Sequence, residues 1–185
     1  MSQNNKPRVT LHDKIFELSI PHAEIAEAVQ RVADRLNEDY KGVDTPLFLG
    51  VLNGAFMFMG ELMPRIDLTC EVQFVKIASY VGTASTGKVQ DLIGINGSIE
   101  GRHIIIVEDV VDTGESMEHM LEMLKGYKPA SVAIATLLFK PTKFTKSYEV
   151  KYRAMDIPDD FIVGFGLDYN DIGRNLKDIY TIVNE

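Results

Sequence analysis

Short apolar runs recur along the chain, and segments with helical periodicity lie between them. Uninterrupted runs of this length are typical of strands that a parallel sheet buries on both faces. We predict strands at 46–52, 72–80, 104–107, 131–139, 161–166 and 179–183, and a shorter strand at 89–95 that pairs back onto the sheet. Apolar residues at helical spacing predict helices at about 21–40, 55–63 and 117–126.

The alternation of strands and helices predicts an α/β fold with a mainly parallel sheet flanked by helices. A chain of 185 residues is long enough for one domain with a substantial core. The sequence shows neither an internal repeat nor a linker that would divide it. We therefore expect a single domain spanning 1–185.

The charge balance restricts the classes of partner. The formal net charge is -8 and the pI about 5.0, which argues against nucleic acid or an anionic membrane as the main partner. Cys70 is the single cysteine, which excludes an intrachain disulfide and fits a reducing compartment. Residues 1–10 are polar and lack a signal core, and no run approaches the ~18 apolar residues of a membrane span. These patterns predict a cytoplasmic protein.

The stretch 104–117 carries the strongest candidate chemistry. Its apolar run is followed by the carboxylates Glu108, Asp109 and Asp112, and then by Thr113–Gly114 at the start of a helix. At the carboxyl edge of an α/β sheet, free amides at a helix N-terminus can bind a phosphate. Carboxylates beside them can hold sugar hydroxyls, a metal ion or a proton. Both kinds of group in one turn indicate a phosphorylated sugar.

Two other interpretations of this stretch are open. Asp112-Thr113-Gly114 also matches the signature of the aspartic proteases, which are all-β and need two such aspartates. This chain has one copy, followed by Glu115 and a helical pattern, although a homodimer could supply the second aspartate. Alternatively, the turn only caps a helix, but a cap needs one Asp or Ser rather than three carboxylates.

Residues 104–117 resemble the ribose-phosphate loop of the type I phosphoribosyltransferases, in particular their hypoxanthine-guanine branch. In that family a hydrophobic strand is followed by Glu-Asp, two aliphatic residues, Asp, Ser or Thr, Gly, any residue, and Ser or Thr. That pattern stands here at 108–116. The resemblance runs from about Leu47 to the C-terminus, and it implies a small hood over the carboxyl edge of the sheet, built from the N-terminal and C-terminal segments.

Two further segments resemble loops of the family. Asn53 and Gly54 match the pyrophosphate loop, where a strand ends in an often cis non-proline peptide, although many members carry Lys in place of Asn53. Ser79 and Tyr80 match the pair that opens a mobile lid over the reacting centre. The Gly, Ser and Thr content of 82–87 agrees with a lid, which would keep water from an oxocarbenium-like centre.

The resemblance also implies a base site and a metal site. Lys140 would donate to the exocyclic oxygen at purine C6, Phe161 would stack on the base, and backbone groups around Ile162 would read its edge. Asp168 would hold a magnesium ion bound to pyrophosphate, and Arg174 would reach the pyrophosphate.

The implied reaction joins a 6-oxopurine to 5-phosphoribosyl 1-diphosphate and releases pyrophosphate. Asp112 would be the general base for the purine N7 proton. Glu108 and Asp109 would hold the ribose hydroxyls, directly or through a metal ion. Amides and hydroxyls of the next residues would bind the 5-phosphate: Thr113, Gly114, Glu115, Ser116 and Met117.

Two alternatives share the resemblance. One is a phosphoribosyltransferase-like regulator that senses phosphoribosyl diphosphate or nucleotides and binds nucleic acid, for which the acidic charge is unfavourable. The other is a xanthine-guanine-type or adenine-type transferase. Lys140 facing an exocyclic oxygen disfavours adenine, and hypoxanthine, guanine and xanthine stay unranked. The family resemblance further implies a homo-oligomer, either a dimer or a tetramer.

Overall fold

The computed structural model describes residues 6–77 and 92–183. In chain order, the elements are β1 (Arg8–Leu11), β2 (Lys14–Ile20), α1 (His22–Asp39), β3 (Leu47–Val51), α2 (Phe56–Leu62), β4 (Glu71–Ile77), β5 (Leu92–Ile93), β6 (His103–Val111), α3 (Glu115–Lys125), β7 (Ser131–Phe139), β8 (Tyr152–Asp156), β9 (Ile162–Val163) and β10 (Ile179–Ile182). A 3-10 turn at Met63–Arg65 follows α2.

The main sheet has the strand order β5-β4-β3-β6-β7-β8. Five neighbouring strands pair in parallel, in the order β4-β3-β6-β7-β8, and β5 pairs antiparallel with β4. This arrangement confirms the predicted α/β class with a mainly parallel sheet. Because parallel strands end at the same edge, the segments after β3, β6 and β7 lie side by side there.

Helices cover both faces of this sheet, and alternate residues of each strand face opposite layers. On β3, Phe48 belongs to the core cluster that includes Val29 and Leu36 of α1 and Phe58 of α2. Leu49 belongs to the other cluster, with residues of α3. Burial on both faces explains why the strands are apolar throughout and lack the alternation of a half-exposed sheet.

A second sheet, with the order β1-β2-β10-β9, is built from the N-terminal and C-terminal segments. Its pairings are antiparallel, and Phe16, Val163 and Tyr180 form its small buried core. This sheet pairs Ile162 of β9 with Thr181 of β10, and the ring of Phe161, just before β9, lies 6.2 Å from the ring of Phe16 on β2.

The structure corrects several predicted boundaries. β6 continues through Val111, so Glu108 and Asp109 lie on the strand rather than in a turn. The predicted strand at 161–166 is reduced to Ile162–Val163, because the glycines that follow take positive φ angles. The sequence pattern did not predict β1, β2 or β8, whose residues are mostly exposed or half-buried, so these strands carry no continuous apolar run. Within the described ranges, no helix is long and apolar enough to cross a membrane.

Candidate active site

The turn between β6 and α3 presents backbone amides to a cavity. Gly114 is the N-cap of α3 and has a φ of 88°, a left-handed conformation that favours glycine. The first amides of a helix have no intrahelical carbonyl to bind, and those of Glu115, Ser116 and Met117 open α3. They border a cavity of about 210 Å³ that is lined by residues 108–117. The site therefore offers oriented N–H donors to an anion.

The side chains of this turn are not equivalent. Met117 is buried and packs in the core, so only its amide can face an anion. Glu115 and Ser116 are exposed, and the Glu115 N–H donates a hydrogen bond to the Thr113 hydroxyl at 3.4 Å. The hydroxyls of Thr113 and Ser116 can add hydrogen bonds to those of the amides.

Glu108 and Asp109 stand beside the turn at the end of the buried part of β6. Glu108 is 8% exposed, and burial, together with the neighbouring Asp109, raises its pKa well above the ordinary value. Asp109 accepts a hydrogen bond from the Val110 amide at 2.8 Å. One carboxyl that favours its proton beside a second carboxylate suits sugar hydroxyls, which donate and accept hydrogen bonds.

Three chain segments meet at Gly54, which follows a cis peptide bond between Leu52 and Asn53. A Cβ added to Gly54 would lie 1.6 Å from the Asp109 Oδ2. A Cβ added to Gly166 would lie 2.1 Å from the Gly54 carbonyl oxygen. Glycine is therefore required at both positions, because the loop after β3 lies directly against β6 and against the C-terminal segment.

A cluster of four charged side chains lies at the carboxyl end of β7. The Lys140 Nζ is 3.1 Å from an Asp112 carboxylate oxygen and 3.4 Å from the Asp159 Oδ1. The Lys143 Nζ is 2.9 Å from the Asp159 Oδ1 and 3.7 Å from the Asp112 Oδ1. The Lys143 ammonium lowers the pKa of Asp159. The buried Asp112 Oδ1 has no hydrogen-bond partner among the described residues, so it is free to accept a proton or a donor.

Phe161 and Ile162 form a wall close to this cluster. The Phe161 ring is 48% exposed, and its edge contacts Tyr169 with centroids 5.9 Å apart. The Lys140 Nζ also donates to the Asp160 carbonyl at 3.0 Å, which ties the end of β7 to this wall. An exposed aromatic face held in place by neighbouring rings can stack on a planar ligand.

Asp168 and Arg174 form an ion pair on the C-terminal segment. The Arg174 Nη2 lies 2.5 Å from the Asp168 Oδ1, and the Arg174 Nη1 donates to the Gly166 carbonyl at 2.8 Å. The Asp168 Oδ2 accepts the Asp171 amide hydrogen at 2.8 Å. Gly166 connects this pair to Gly54, so both residues belong to the same edge of the sheet. In the described part of the chain, no group of three or more His, Cys, Asp or Glu residues could hold a metal ion.

The structure thus places the candidate residues of β6, α3 and β7 around one edge, with Asn53, Gly54, Phe161, Ile162, Asp168 and Arg174 contributed by other segments. Ser79 and Tyr80 lie outside the described residues. Sequence analysis missed Gly166, Lys143 and Asp159. The glycine pair at 164 and 166 was a signal for close backbone approach, whereas nothing in the sequence linked Lys143 to Asp159 across the cluster.

A larger groove, of about 720 Å³, lies at the β8 edge of the main sheet. It is lined by Arg35, Phe139, Lys151 and Arg153 among others, and none of the candidate residues reaches it. The smaller cavity at 108–117 is therefore the better candidate, because its lining combines the free amides of a helix N-terminus with carboxylates.

Free helix amides next to two carboxyls, with an exposed aromatic ring nearby, suit an enzyme that handles a phosphorylated sugar and a planar base. The family model described as phosphoribosyl transferase domain matches residues 21–170. The chain belongs to the phosphoribosyltransferase family. The single Asp-Thr-Gly lies between a strand and a helix of an α/β fold, which excludes the all-β aspartic proteases.

Within this family, the chain is similar to several proteins that are named hypoxanthine-guanine phosphoribosyltransferases. The chain is 39% identical to the hypoxanthine-guanine phosphoribosyltransferase of Streptococcus pneumoniae, over 95% of this chain and 97% of the relative. It is 38% identical to that of Staphylococcus epidermidis, over 95% of this chain and 98% of the relative. A crystal structure of a hypoxanthine-guanine phosphoribosyltransferase from Bacillus anthracis superposes with a TM-score of 0.82 at 32% identity, and the match covers 90% of this chain and 98% of that one.

Proposed function

We propose that this chain is a purine-salvage enzyme that joins hypoxanthine, and also guanine, to 5-phosphoribosyl 1-diphosphate. The products are the nucleoside 5′-monophosphate and pyrophosphate. One observation carries the proposal. Asp112 and Lys140 lie 3.1 Å apart, and Asp112 comes two residues before Gly114, the N-cap of α3. In this proposal Asp112 is the proton acceptor and Lys140 donates to a base oxygen, next to the phosphate site. The names of the similar proteins support the same activity.

The phosphoribosyl group binds along the edge of the sheet in this proposal. The amides and hydroxyls of residues 113–117 hold the 5-phosphate at the positive end of α3. Glu108 and Asp109 hold the ribose hydroxyls. Asn53 and Gly54 at the cis peptide, with Arg174, face the diphosphate. Asn53 offers an amide instead of a charge, so Arg174 is the cation that the proposal assigns to the diphosphate.

The base binds between Phe161 and the end of β7. Phe161 stacks on the ring, the backbone near Ile162 reads its edge, and the Lys140 ammonium donates to the oxygen at C6. As the purine N9–C1 bond forms, the bond from C1 to the diphosphate oxygen breaks. The N7 proton passes to Asp112, whose Oδ1 has no hydrogen-bond partner among the described residues. Positioning and charge stabilisation supply the catalysis.

Magnesium is the metal that this chemistry implies. Mg²⁺ prefers oxygen ligands and usually binds through one or two carboxylates plus substrate phosphates. Asp168 fits that role, because Arg174 and the Asp171 amide already fix its orientation, and Glu108 and Asp109 offer further oxygen donors. When bound, the ion would neutralise charge on the leaving diphosphate.

The setting of the enzyme is part of the proposal. We infer a single domain in which the β1-β2-β10-β9 sheet is the hood over the carboxyl edge. The acidic charge and the single cysteine support a cytoplasmic enzyme without a nucleic-acid partner. Exposed apolar residues of β4 and α2, Val72, Phe74 and Phe56, support a homo-oligomer, a dimer or a tetramer.

A spectrophotometric panel tests the function. The folded protein is mixed with phosphoribosyl diphosphate and magnesium, and with hypoxanthine, guanine, xanthine or adenine in turn. We expect turnover with hypoxanthine, weak or no turnover with adenine, and loss of turnover when a chelator removes magnesium. Absence of a nucleotide product from every 6-oxopurine would refute the proposal. The relative rates with guanine and xanthine separate the hypoxanthine-guanine type from the xanthine-guanine type.

A further inference from the structure

The segment after β7 folds back over the phosphate turn, residues 112–114 between β6 and α3. A Cβ added to Gly114 would lie 2.6 Å from the Tyr148 hydroxyl, 2.7 Å from the Phe144 ring and 2.9 Å from the Lys146 side chain. All three residues come from the stretch between β7 and β8. The N-cap of α3 is therefore enclosed by side chains that are more than 25 positions away in the sequence.

The Tyr148 hydroxyl donates a hydrogen bond to the Gly114 carbonyl oxygen at 2.5 Å. The same oxygen accepts the first intrahelical bond of α3, from the Glu118 amide at 3.0 Å. Because a peptide unit is planar, fixing the Gly114 carbonyl also fixes the direction of the Glu115 N–H. That N–H is the first of the amides that border the cavity of residues 108–117.

The hydrogen bond also polarises this peptide. A carbonyl that accepts hydrogen bonds makes the N–H of the same peptide unit a better donor, since hydrogen bonds in a chain strengthen one another. Gly114 has a left-handed φ and no side chain. A side-chain hydrogen bond to its carbonyl oxygen therefore has to come from a residue elsewhere in the chain. Tyr148 provides such a contact.

Neighbouring contacts hold Tyr148 in place. Its ring meets Phe144 edge to face with centroids 5.2 Å apart, and Phe144 in turn contacts Phe139 at 5.1 Å. The Lys146 Nζ pairs with Glu118 of α3 at 2.7 Å. Burial, and then the charge of Glu118, raises the pKa of Tyr148 to about 12, so the phenol remains a donor at neutral pH.

We propose that Tyr148 is a positioning residue for the 5-phosphate site, which orients the Glu115 N–H through the Gly114 carbonyl. This inference rests on the proposed function, because it assigns the cradle of α3 to the phosphate of the substrate and product. Tyr148 acts through Gly114 rather than on the ligand itself, so its effect is specific to ligands that carry the phosphate.

The test compares Tyr148→Phe with the matched variant Tyr152→Phe. Tyr148→Phe keeps the ring and its contact with Phe144 but removes the hydroxyl. Tyr152→Phe likewise removes a tyrosine hydroxyl and its hydrogen bond, to Asp39 at 2.7 Å. Tyr152 lies on β8, outside the phosphate turn. Isothermal titration with inosine 5′-monophosphate and with inosine, which lacks the phosphate, measures binding. Steady-state kinetics measures KM and kcat.

For Tyr148→Phe we expect the affinity for inosine monophosphate to fall about two- to tenfold, the range for one neutral hydrogen bond, with inosine affinity unchanged. KM for phosphoribosyl diphosphate should rise by a similar factor, while KM for hypoxanthine stays constant. Tyr152→Phe should leave all these ratios at the wild-type value. Equal losses of affinity for inosine and inosine monophosphate, or no loss for the monophosphate, would overturn the inference. Failure of the proposed function appears separately, as an inactive wild-type protein.

Discussion

The Lys140 ammonium lies 3.1 Å from the Asp112 carboxylate, and the two residues come from the ends of the neighbouring parallel strands β6 and β7. Lys140 is only 7% exposed, so its charge needs a partner in this setting. We infer that a bound purine contacts both residues: its C6 oxygen accepts a hydrogen bond from Lys140, and its N7–H donates to Asp112. The pair thus balances the charges of the two side chains in the site.

Asp112→Asn should lower kcat by about 10²–10⁴, the usual range for loss of a general base. Asn keeps the shape of Asp but cannot accept the purine proton. KM for phosphoribosyl diphosphate should change much less, because the phosphate cradle is untouched. Steady-state kinetics with hypoxanthine measures both constants. If Asp112 served only to cap α3, the variant would keep near-normal kcat, because Asn caps helices about as well as Asp.

Phe161→Ala should weaken binding of the base more than binding of phosphoribosyl diphosphate. A stacked aromatic ring contributes roughly 1–3 kcal/mol per base in nucleic-acid proteins, and a similar loss is expected here. The ring is 48% exposed, so the free energy of unfolding should fall little. Titration with each ligand and urea unfolding provide the two measurements. Equal loss for both ligands with a large loss of stability would instead indicate a core residue.

Gly54→Ala should reduce activity sharply, because its Cβ would overlap the Asp109 carboxylate and displace it. Gly60→Ala is the matched control: Gly60 lies inside α2 and a Cβ there meets no atom within 4 Å. The control should be stabilised by roughly 0.5–1 kcal/mol, since Ala favours helix over Gly, and should retain activity. Normal activity of Gly54→Ala would show that Asp109 need not stay where the structure has it.

Glu108→Gln should make the protein more stable at neutral and alkaline pH while reducing its activity. Burial raises the folded-state pKa of Glu108, so folding favours the protonated carboxyl. Wild-type stability therefore falls as pH rises from the ordinary value of 4.5 through the raised one. Gln carries no charge to bury and avoids that loss.

Urea unfolding of the two proteins at several pH values tests this expectation. The curves should converge below the ordinary carboxyl pKa, where Glu108 is protonated in both the folded and the unfolded state. A gain from Gln that is the same at acid and alkaline pH would show that the charge of Glu108 is not its cause.

The pattern of the sequence was sufficient for the parallel sheet and for the turn between β6 and α3. Strands such as β3 and β7 are buried on both faces, so their composition is apolar throughout and easily distinguished from the helices. The phosphate turn is a local feature, since its strand, carboxylates and glycine are contiguous in the chain. The positions of Asp112, Thr113 and Gly114 therefore followed from one short stretch, and the family resemblance extended the assignment to Lys140 and Phe161.

Only the tertiary structure showed which distant residues complete the site. Strands β1, β2 and β8 carry no continuous apolar run, and pairing decides them: β10 pairs with β2, β2 with β1, and β7 at the edge of the main sheet with β8. The contacts of Gly54 with Asp109 and Gly166, and of Tyr148 with Gly114, join segments separated by tens to more than a hundred positions. Local periodicity carries no record of such contacts, because they arise where the packing of the sheet and its helices brings loop ends together.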